Sequence, residues 1–272
     1  GATFAPGGDP IGGAVPLIVR DLQVADVGDG EKLYAGGRFL NIDGVPANNI
    51  ASWDGTSWQA LGSGRTQNSG FAQVITMTVF DDGNGPALYS GGSFQFAGGT
   101  AASRVAKWDG TSWPPVGTGF ASTVQELVVF DDGNGEALYA AGNFETANGG
   151  INRIARWNGT AWEQVLSGAN DTVFGAIVYD AGEGEALHFG GSFTSALGEF
   201  SNRIVSQVAA DSGGCNPADL AEPFGVLDLA DVQGFVVACT SGDPAADIAA
   251  PEGVRDLADL QAFVIAFTGG CP

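Results

Sequence analysis

The stretch VFDDGNGPALYSGGSF (79–94), followed by SRVAKWDGTSW (103–113), decides the fold, because each of its parts recurs along the chain. The block LYSGGSF has four copies, which begin 55, 50 and 49 residues apart: LYAGGRF (33–39), LYSGGSF (88–94), LYAAGNF (138–144) and LHFGGSF (187–193). The Trp block recurs as NNIASWDGTSW (48–58), NRIARWNGTAW (152–162) and a degenerate NRIVSQ (202–207). The acidic turn recurs as VADVGDGEK (24–32), VFDDGNGEA (129–137) and VYDAGEGEA (178–186). The chain therefore contains four repeats of about 50 residues.

Each repeat is predicted to form four short antiparallel strands. An apolar first strand such as Val124–Phe130 precedes the DDGNG turn, whose Asp and Gly residues favour a tight reversal. The ALYAAGNF segment gives a second strand, and the alternating NRIARW segment gives a third. The Asp–Gly or Asn–Gly pair that follows is a strong hairpin signal and leads to a fourth strand. Four strands in about 50 residues is the size of a propeller blade, so we predict an all-β, four-bladed β-propeller of four-stranded antiparallel blades.

The fourth repeat stops early, which bears on how the predicted propeller closes. It lacks the W-x-x-L strand after Ile204–Ala209. The beginning of the chain, ATFAPGGDPIGGAV (2–15), resembles the end of that strand, so Ala2–Ala5 is predicted to complete the fourth blade. Closure within one chain leaves no unpaired edge and is favoured by the short connection. The same strand exchange between chains would instead join subunits into a filament.

Composition and charge exclude several classes of function. The 272 residues carry 10 Lys and Arg against 31 Asp and Glu, for a net charge of −21. This balance argues against nucleic acid and against anionic membrane surfaces, since both require cationic contacts. No apolar run reaches the roughly 18 residues of a membrane span. The single histidine, His188, excludes mechanisms that require a histidine cluster.

A second kind of repeat begins near residue 213, so we divide the chain into domains at 1–211 and 212–272. DLAEPFGVLDLADVQGFVVAC (219–239) and DIAAPEGVRDLADLQAFVIAF (247–267) lie 28 residues apart. Apolar residues at helical spacing predict helices over 229–239 and 257–267, each after an Asp-bearing loop.

Two resemblances follow from these motifs. The AGG-x-F…IA-x-WDG-x-x-W pattern over residues 17–209 resembles the short β-propeller repeats of large secreted bacterial proteins and, more distantly, kelch repeats. The two loop–helix copies, framed by C-N-P-A-D-L and C-P, resemble a variant dockerin domain. The dockerin resemblance implies calcium in each loop, an extracellular setting, and attachment through residues 212–272 to a cohesin-like receptor.

The calcium expectation is carried by specific carboxylates. A calcium loop needs spaced oxygen ligands and a last carboxylate in the first turn of the helix. Asp219 and Asp247 match the first ligand, Asp231 and Asp259 match the last, and Asp228 and Asp256 match ligands that act through water. Ala and Pro occupy loop positions that are Asp or Asn in the family, for example Ala221 and Pro223. The alternative is that these acids cap the helices without metal.

The cysteines indicate the redox setting. Cys215 and Cys271 lie at matching phases of the 28-residue repeat, at its two ends, so we expect a Cys215–Cys271 disulfide and an oxidising compartment. Such a bond closes a loop of about 57 residues and contributes about 4 kcal/mol in the chain-entropy model. Cys239 aligns with Phe267 and is predicted to be a buried free thiol.

No catalytic set stands out among the remaining candidates. The paired acids of the DDGNG turns are predicted to shape hairpins rather than bind cations, and His188 is predicted to be a strand residue in place of Tyr. Arg104, Arg153 and Arg203 recur at one phase and are predicted to form repeated ion pairs. We therefore expect a secreted, non-enzymatic binding or structural protein, with a glycan as a candidate ligand. The alternatives are a carbohydrate-active enzyme on a propeller scaffold and a subunit of a cell-surface filament.

Overall fold

The computed structural model describes residues 18–68, 71–145, 150–180, 184–200 and 203–208, and they form an all-β structure of small antiparallel sheets. The predicted strand Ala2–Ala5 and everything predicted for residues 212–272 lie outside the described residues.

The strands follow the four repeats. The first repeat contains β1 (Ile18–Asp26), β2 (Glu31–Arg38), β3 (Asn41–Ile42), β4 (Val45–Pro46), β5 (Ile50–Trp53) and β6 (Trp58–Ala60). A short linker strand and the second repeat contain β7 (Arg65–Thr66), β8 (Gln73–Asp81), β9 (Pro86–Ser93), β10 (Phe96–Ala97), β11 (Thr100–Ala101) and β12 (Val105–Trp108). The third repeat contains β13 (Val124–Asp131), β14 (Glu136–Glu145), β15 (Asn152–Trp157) and β16 (Trp162–Gln164). The fourth contains β17 (Val173–Asp180), β18 (Glu185–Gly191), β19 (Ser195–Ala196), β20 (Glu199–Phe200) and β21 (Ile204–Val208).

Each repeat builds one main sheet whose strands are paired in chain order. The first and third repeats form four-stranded sheets, β1-β2-β5-β6 and β13-β14-β15-β16, as predicted. The fourth repeat forms β17-β18-β21, and its described residues include no fourth strand, also as predicted. Short pairings supplement these sheets: β3 with β4, β10 with both β7 and β11, and β19 with β20.

The second repeat departs from the four-strand prediction, since its main sheet is β12-β9-β8. Trp113, expected to begin a fourth strand, lies outside any strand. Pro114 and Pro115 follow it directly. Proline has no N–H to donate to a ladder, so this segment cannot pair as Trp58–Ala60 does in the first repeat.

The described residues fall into two compact units. The larger holds residues 18–130, 137–177 and 188–205, and the smaller holds the turn Asp131–Glu136 with the described parts of 178–187 and 206–208. Within the larger unit, one buried cluster joins the first and second repeats, where Ala25 and Tyr34 lie with Val74 and Met77. Another joins the second and third repeats and contains Phe80, Tyr89, Val124, Leu127 and Trp157. Successive repeats thus share hydrophobic cores.

Small residues on the second strands permit this close approach. A Cβ atom added at Gly36 would lie 2.5 Å from Val74 Cγ1, and one added at Gly91 would lie 2.6 Å from Val124 Cγ1. In the first two repeats, the first glycine of the Gly–Gly doublet is therefore a contact surface for the first strand of the following repeat.

Candidate functional site

Four equivalent positions on the first strands form the site that we call the first-strand site: Asp21, Thr76, Glu126 and Gly175. Each lies five residues before the Asp that ends its strand, on β1, β8, β13 and β17. The sequence carries a signal for this site that we did not use. Aligning the first strands on their terminal Asp residues places these four residues in one register.

Hydrogen bonds link these positions from one repeat to the next. The carboxylate of Asp21 accepts from the backbone N–H of Met77 in the following repeat. Thr76 Oγ1 donates to Glu126 Oε1 at 2.8 Å and accepts from Leu127 N at 3.2 Å. A Cβ atom at Gly175 would lie 4.0 Å from Glu126 Oε2. The site therefore extends across all four first strands.

Two carboxylates in this site have raised pKa values. Burial raises the pKa of Asp21, and the N–H groups of Met77 and Leu22 offset this only in part. Burial also raises the pKa of Glu126, against the bonds from Thr76 and Leu127, and the charge of Asp21 adds to the increase. Half-buried carboxyl groups with raised pKa values are candidates for proton exchange. Among the described residues, no group of three or more His, Cys, Asp and Glu side chains lies close enough to hold a metal ion.

The acidic turns have a structural role. Asp81 Oδ1 accepts from Gly83 N at 2.8 Å and from Gly85 N at 2.9 Å, and Asp26 and Asp131 accept equivalent pairs. The two glycines have φ values of 93° and 95°, which side chains other than glycine rarely adopt. The hairpin interpretation of the DDGNG turns is confirmed.

The Asp–Gly pairs between the Trp residues are also turns. Asp109 Oδ1 accepts from Thr111 N at 2.9 Å and from Ser112 N at 2.7 Å, and Asn158 does the same in the third repeat. Partial burial would raise the pKa of Asp109, but these amides and the hydroxyls of Thr111 and Ser112 lower it to about 2. The carboxylate is therefore held in its charged form by the turn.

One ion pair in the second repeat is nearly buried. Lys107 Nζ lies 2.7 Å from both carboxylate oxygens of Asp82, and the Lys107 and Asp82 side chains are only 10% and 11% exposed. The Tyr89 hydroxyl donates to Asp82 Oδ2 at 2.8 Å. Burial raises the pKa of Asp82, but the bonds from Lys107, Asn84 and Tyr89 outweigh burial and lower it. The first repeat has Val27 and Ser52 at the positions of Asp82 and Lys107, so both charges are absent there together.

Arg65 is the most unusual buried residue. It is fully buried, and its guanidinium carbon lies 3.4 Å from the centre of the Trp113 ring and 5.1 Å from that of Phe94. Nη2 donates to Ser90 Oγ at 2.5 Å, whereas Nε and Nη1 have no partner among the described residues. Burial lowers the pKa of this guanidinium well below its ordinary value.

The next repeat shows what Arg65 replaces. Phe120 occupies the equivalent position; its ring stacks on that of Phe144, with centroids 4.0 Å apart, and packs against that of Trp162 at 4.8 Å with the planes tilted by 53°. These are the counterparts of Phe94 and Trp113. In both repeats the Trp indole N–H donates to the linker, to Leu61 O at 3.1 Å and to Val116 O at 3.2 Å. Arg65 therefore fills an aromatic slot at the junction between repeats, and we assign it to packing rather than to ligand binding.

The recurring arginines correct one prediction. Arg153 pairs with Glu145 at 2.7 Å, but within the described residues no ion pair accompanies Arg104 or Arg203. Instead, Nη1 of each arginine donates to a backbone carbonyl oxygen. Arg104 donates to Phe94 O, Arg153 to Ala169 O and Arg203 to Ser192 O. All three have positive φ values, between 65° and 82°. The recurring partner of this arginine is therefore a backbone carbonyl and not an acidic side chain.

The remaining candidates are placed as follows. His188 lies on β18, as predicted. The predicted calcium ligands Asp219, Asp228, Asp231, Asp247, Asp256 and Asp259 and the predicted pair Cys215–Cys271 lie outside the described residues. No helix in the described part of the chain is of the length and hydropathy that crossing a membrane requires. Comparison of the chain with protein-family models, curated proteins and solved structures finds no match.

Proposed function

We propose that this chain is a secreted, non-enzymatic binding or structural protein. In this proposal its four repeats are the blades of a four-bladed β-propeller of the kelch-like kind. Residues 212–272 form a dockerin-like module that attaches it, with calcium in its loops, to a cohesin-like receptor or to a neighbouring subunit. The blades offer a surface for a ligand such as a glycan.

The observation that carries the proposal is that the recurring polar side chains bond to the backbone of their own repeats. Asp81 shapes a turn, Asp109 shapes another, and Arg104 bonds to backbone. Polar residues that recur from repeat to repeat thus serve the repeat itself, as expected of a scaffold.

Blade packing is supported by the junctions. Asp21 bonds to Met77 and Thr76 bonds to Leu127, so a first strand bonds in the same register to the first strand of the next repeat. A second contact also recurs: the indole N–H groups of Trp113 and Trp162 each donate to a backbone carbonyl of the linker before their repeat. Propeller blades are related by such a repeated operation around an axis.

One observation favours the enzymatic alternative. Glycoside hydrolases use two carboxyl groups, one of which has a raised pKa. Asp21 and Glu126 are the described residues that meet this condition. Asp21 already accepts from the N–H of Met77 in the next repeat, and Glu126 accepts from the Thr76 hydroxyl of the preceding repeat and from the N–H of Leu127 beside it. These bonds between and within the first strands are why we place both residues in the scaffold.

The test is a panel of glycans scored separately for binding and for hydrolysis. We expect binding without turnover. We also expect Asp21→Asn and Glu126→Gln to leave binding unchanged, because the amide oxygen of each new side chain can accept from the same donors. Hydrolysis that either substitution abolishes would replace the proposal with a carbohydrate-active enzyme. Thr118→Ala, an exposed substitution in a linker, is the control.

A further inference from the structure

An apolar surface on the first strand is exposed where its counterparts are buried. Val19 and Leu22 on β1, which we call the β1 face, are 49% and 57% exposed. The equivalent residues of the second repeat, Val74 and Met77, are 0% and 5% exposed. Those of the third repeat, Val124 and Leu127, are buried in the same way: 0% and 3%, respectively. Within the part of the chain that the structure describes, the first strand of the first repeat therefore lacks the cover that the next two first strands have.

The structure shows what that cover is. Val74 packs against Gly36 and Val124 packs against Gly91, so a small residue on the second strand of the preceding repeat receives the valine. The third and fourth repeats carry Ala141 and Gly190 at this position. At Gly190, an added Cβ atom would meet no described atom within 4 Å. This unfilled surface around Gly190 on β18 is what we call the β18 face.

The fourth repeat also exposes the apolar residues that complete such a junction. Tyr179 on β17 is 60% exposed, whereas its counterparts Phe80 and Phe130 are 7% and 2% exposed. Phe80 belongs to the buried cluster that contains Val124 and Leu127 of the next repeat. Among the described residues, the β1 face and the β18 face thus present the two halves of a junction that the chain forms elsewhere.

We propose that the β1 face of one copy of this chain packs against the β18 face of a second copy. The contact reproduces between chains the junction seen between the first and second repeats. It is heterologous, since different surfaces of the two copies meet, and such contacts produce closed rings or open filaments of subunits. The net charge of −21 opposes the approach of two copies, so added salt strengthens association by screening. The inference rests on the proposed packing of repeats as blades, but it replaces closure of the ring within one chain by exchange between chains, because the β1 face and the β18 face are both uncovered among the described residues. It does not depend on attachment through residues 212–272.

Two full-length variants, each blocked at one face, test this contact. Leu22→Asp places a charge on the β1 face, and Gly190→Val fills the β18 face. Leu40→Asp, which alters an exposed leucine away from both faces, is the matched control. Sedimentation velocity over a range of protein and salt concentrations gives the species present.

The expected pattern is specific to a head-to-tail contact. The unaltered chain and Leu40→Asp associate beyond dimers, and each blocked variant alone is monomeric, with association weakened by more than about tenfold. Mixing the two blocked variants yields a one-to-one dimer that does not grow, because one intact face remains on each partner. A monomeric unaltered chain at every concentration would show that the face is covered within its own chain. That result, or the absence of the mixed dimer, overturns the proposal.

Different measurements refute the proposed contact and the proposed function. Association is measured as mass, whereas binding and turnover of glycans are measured on the monomeric Leu22→Asp variant. Glycan hydrolysis by that monomer would overturn the function and leave the measured association intact.

Discussion

Arg65 is a charged residue at a buried position that an aromatic residue, Phe120, occupies in the next repeat. Two of its three guanidinium nitrogens have no partner among the described residues, and each unsatisfied buried donor costs about 1–3 kcal/mol. The next repeat fills the slot with Phe120 and has Ala140 where Ser90 bonds to Arg65. Arg65→Phe with Ser90→Ala is therefore expected to raise the free energy of unfolding by about 1–3 kcal/mol, measured by urea denaturation.

The reverse change is the control for this prediction. Phe120→Arg buries a charge between Phe144 and Trp162 with no hydroxyl beside it, and we expect a loss of about 3 kcal/mol or more. A double variant at positions 65 and 90 that is less stable than the unaltered chain would show that the guanidinium has a role beyond filling the slot.

The first-strand site makes stability depend on pH. The pKa values of Asp21 and Glu126 are raised in the folded state, so the folded chain holds more protons than the unfolded chain at pH values just above about 4. The contribution of Asp21 and Glu126 to the free energy of unfolding therefore falls as the pH rises from their pKa in the unfolded chain through their raised pKa in the folded chain. Asp21→Asn with Glu126→Gln should raise the melting temperature at pH 7 and flatten this decline.

Asp109→Asn is the matched control, because folding lowers the pKa of Asp109 whereas it raises those of Asp21 and Glu126. The pKa of Asp109 is lowered to about 2, so its stabilising effect is complete above about pH 4 and is lost as pH falls toward 2. This variant should lower the melting temperature at pH 7 and have little effect near pH 2. Identical pH profiles for the two sets of variants would contradict the assignment of the raised pKa values.

At the scale of the strands, the second strands of the first two repeats are packing surfaces for the repeat that follows. A Cβ atom at Gly91 would lie 2.6 Å from Val124 Cγ1 and 2.9 Å from Thr76 Cγ2, so β9 and β13 cannot both keep their positions. Gly91→Ala is expected to cost about 1–3 kcal/mol of unfolding free energy, because the junction between repeats must open.

Gly190→Ala is the matched substitution on β18, where an added Cβ atom meets no described atom within 4 Å. We expect its effect on the stability of the monomer to remain within about 0.5 kcal/mol. Chemical denaturation at low protein concentration measures both variants. Equal losses would mean that strand propensity, and not contact between repeats, determines the effect.

At the scale of the whole molecule, acidic charge gathers in residues 212–272, which carry nine carboxylates and one arginine, Arg255. If the six proposed ligands bind calcium, binding stabilises the folded chain by mass action. A chelator should lower the melting temperature, and calcium should restore it more than sodium at equal ionic strength. Asp231→Ala with Asp259→Ala should abolish that selective restoration.

Asp243→Ala removes a nearby charge outside the proposed ligand set and should leave the restoration by calcium unchanged. Equal restoration by calcium and sodium would mean that these acids cap helices and repel one another, and that no calcium is bound.

The amino-acid sequence by itself determined the repeats, the order of their main strands and their turns. The turn at Asp81 was predicted because an Asp side chain can accept from the backbone N–H two residues later, here that of Gly83. The fourth strand predicted for the second repeat was wrong, although Pro114 and Pro115 carry a local signal against it. Such interactions act over a few residues, and sequence patterns report them directly. The position of His188 on a strand was predicted from its place in the repeat.

Only the tertiary structure decided which distant residues meet. Thr76 meets Glu126 across 50 residues, and Arg65 enters the slot of a Trp that lies in another repeat. The exposure of Leu22, in contrast to the burial of Met77, also depends on which repeat packs in front of it. Near-identical repeats carry the same local signals, so their sequences alone do not distinguish a covered face from an open one. Packing between repeats does, because burial is a property of neighbours in space.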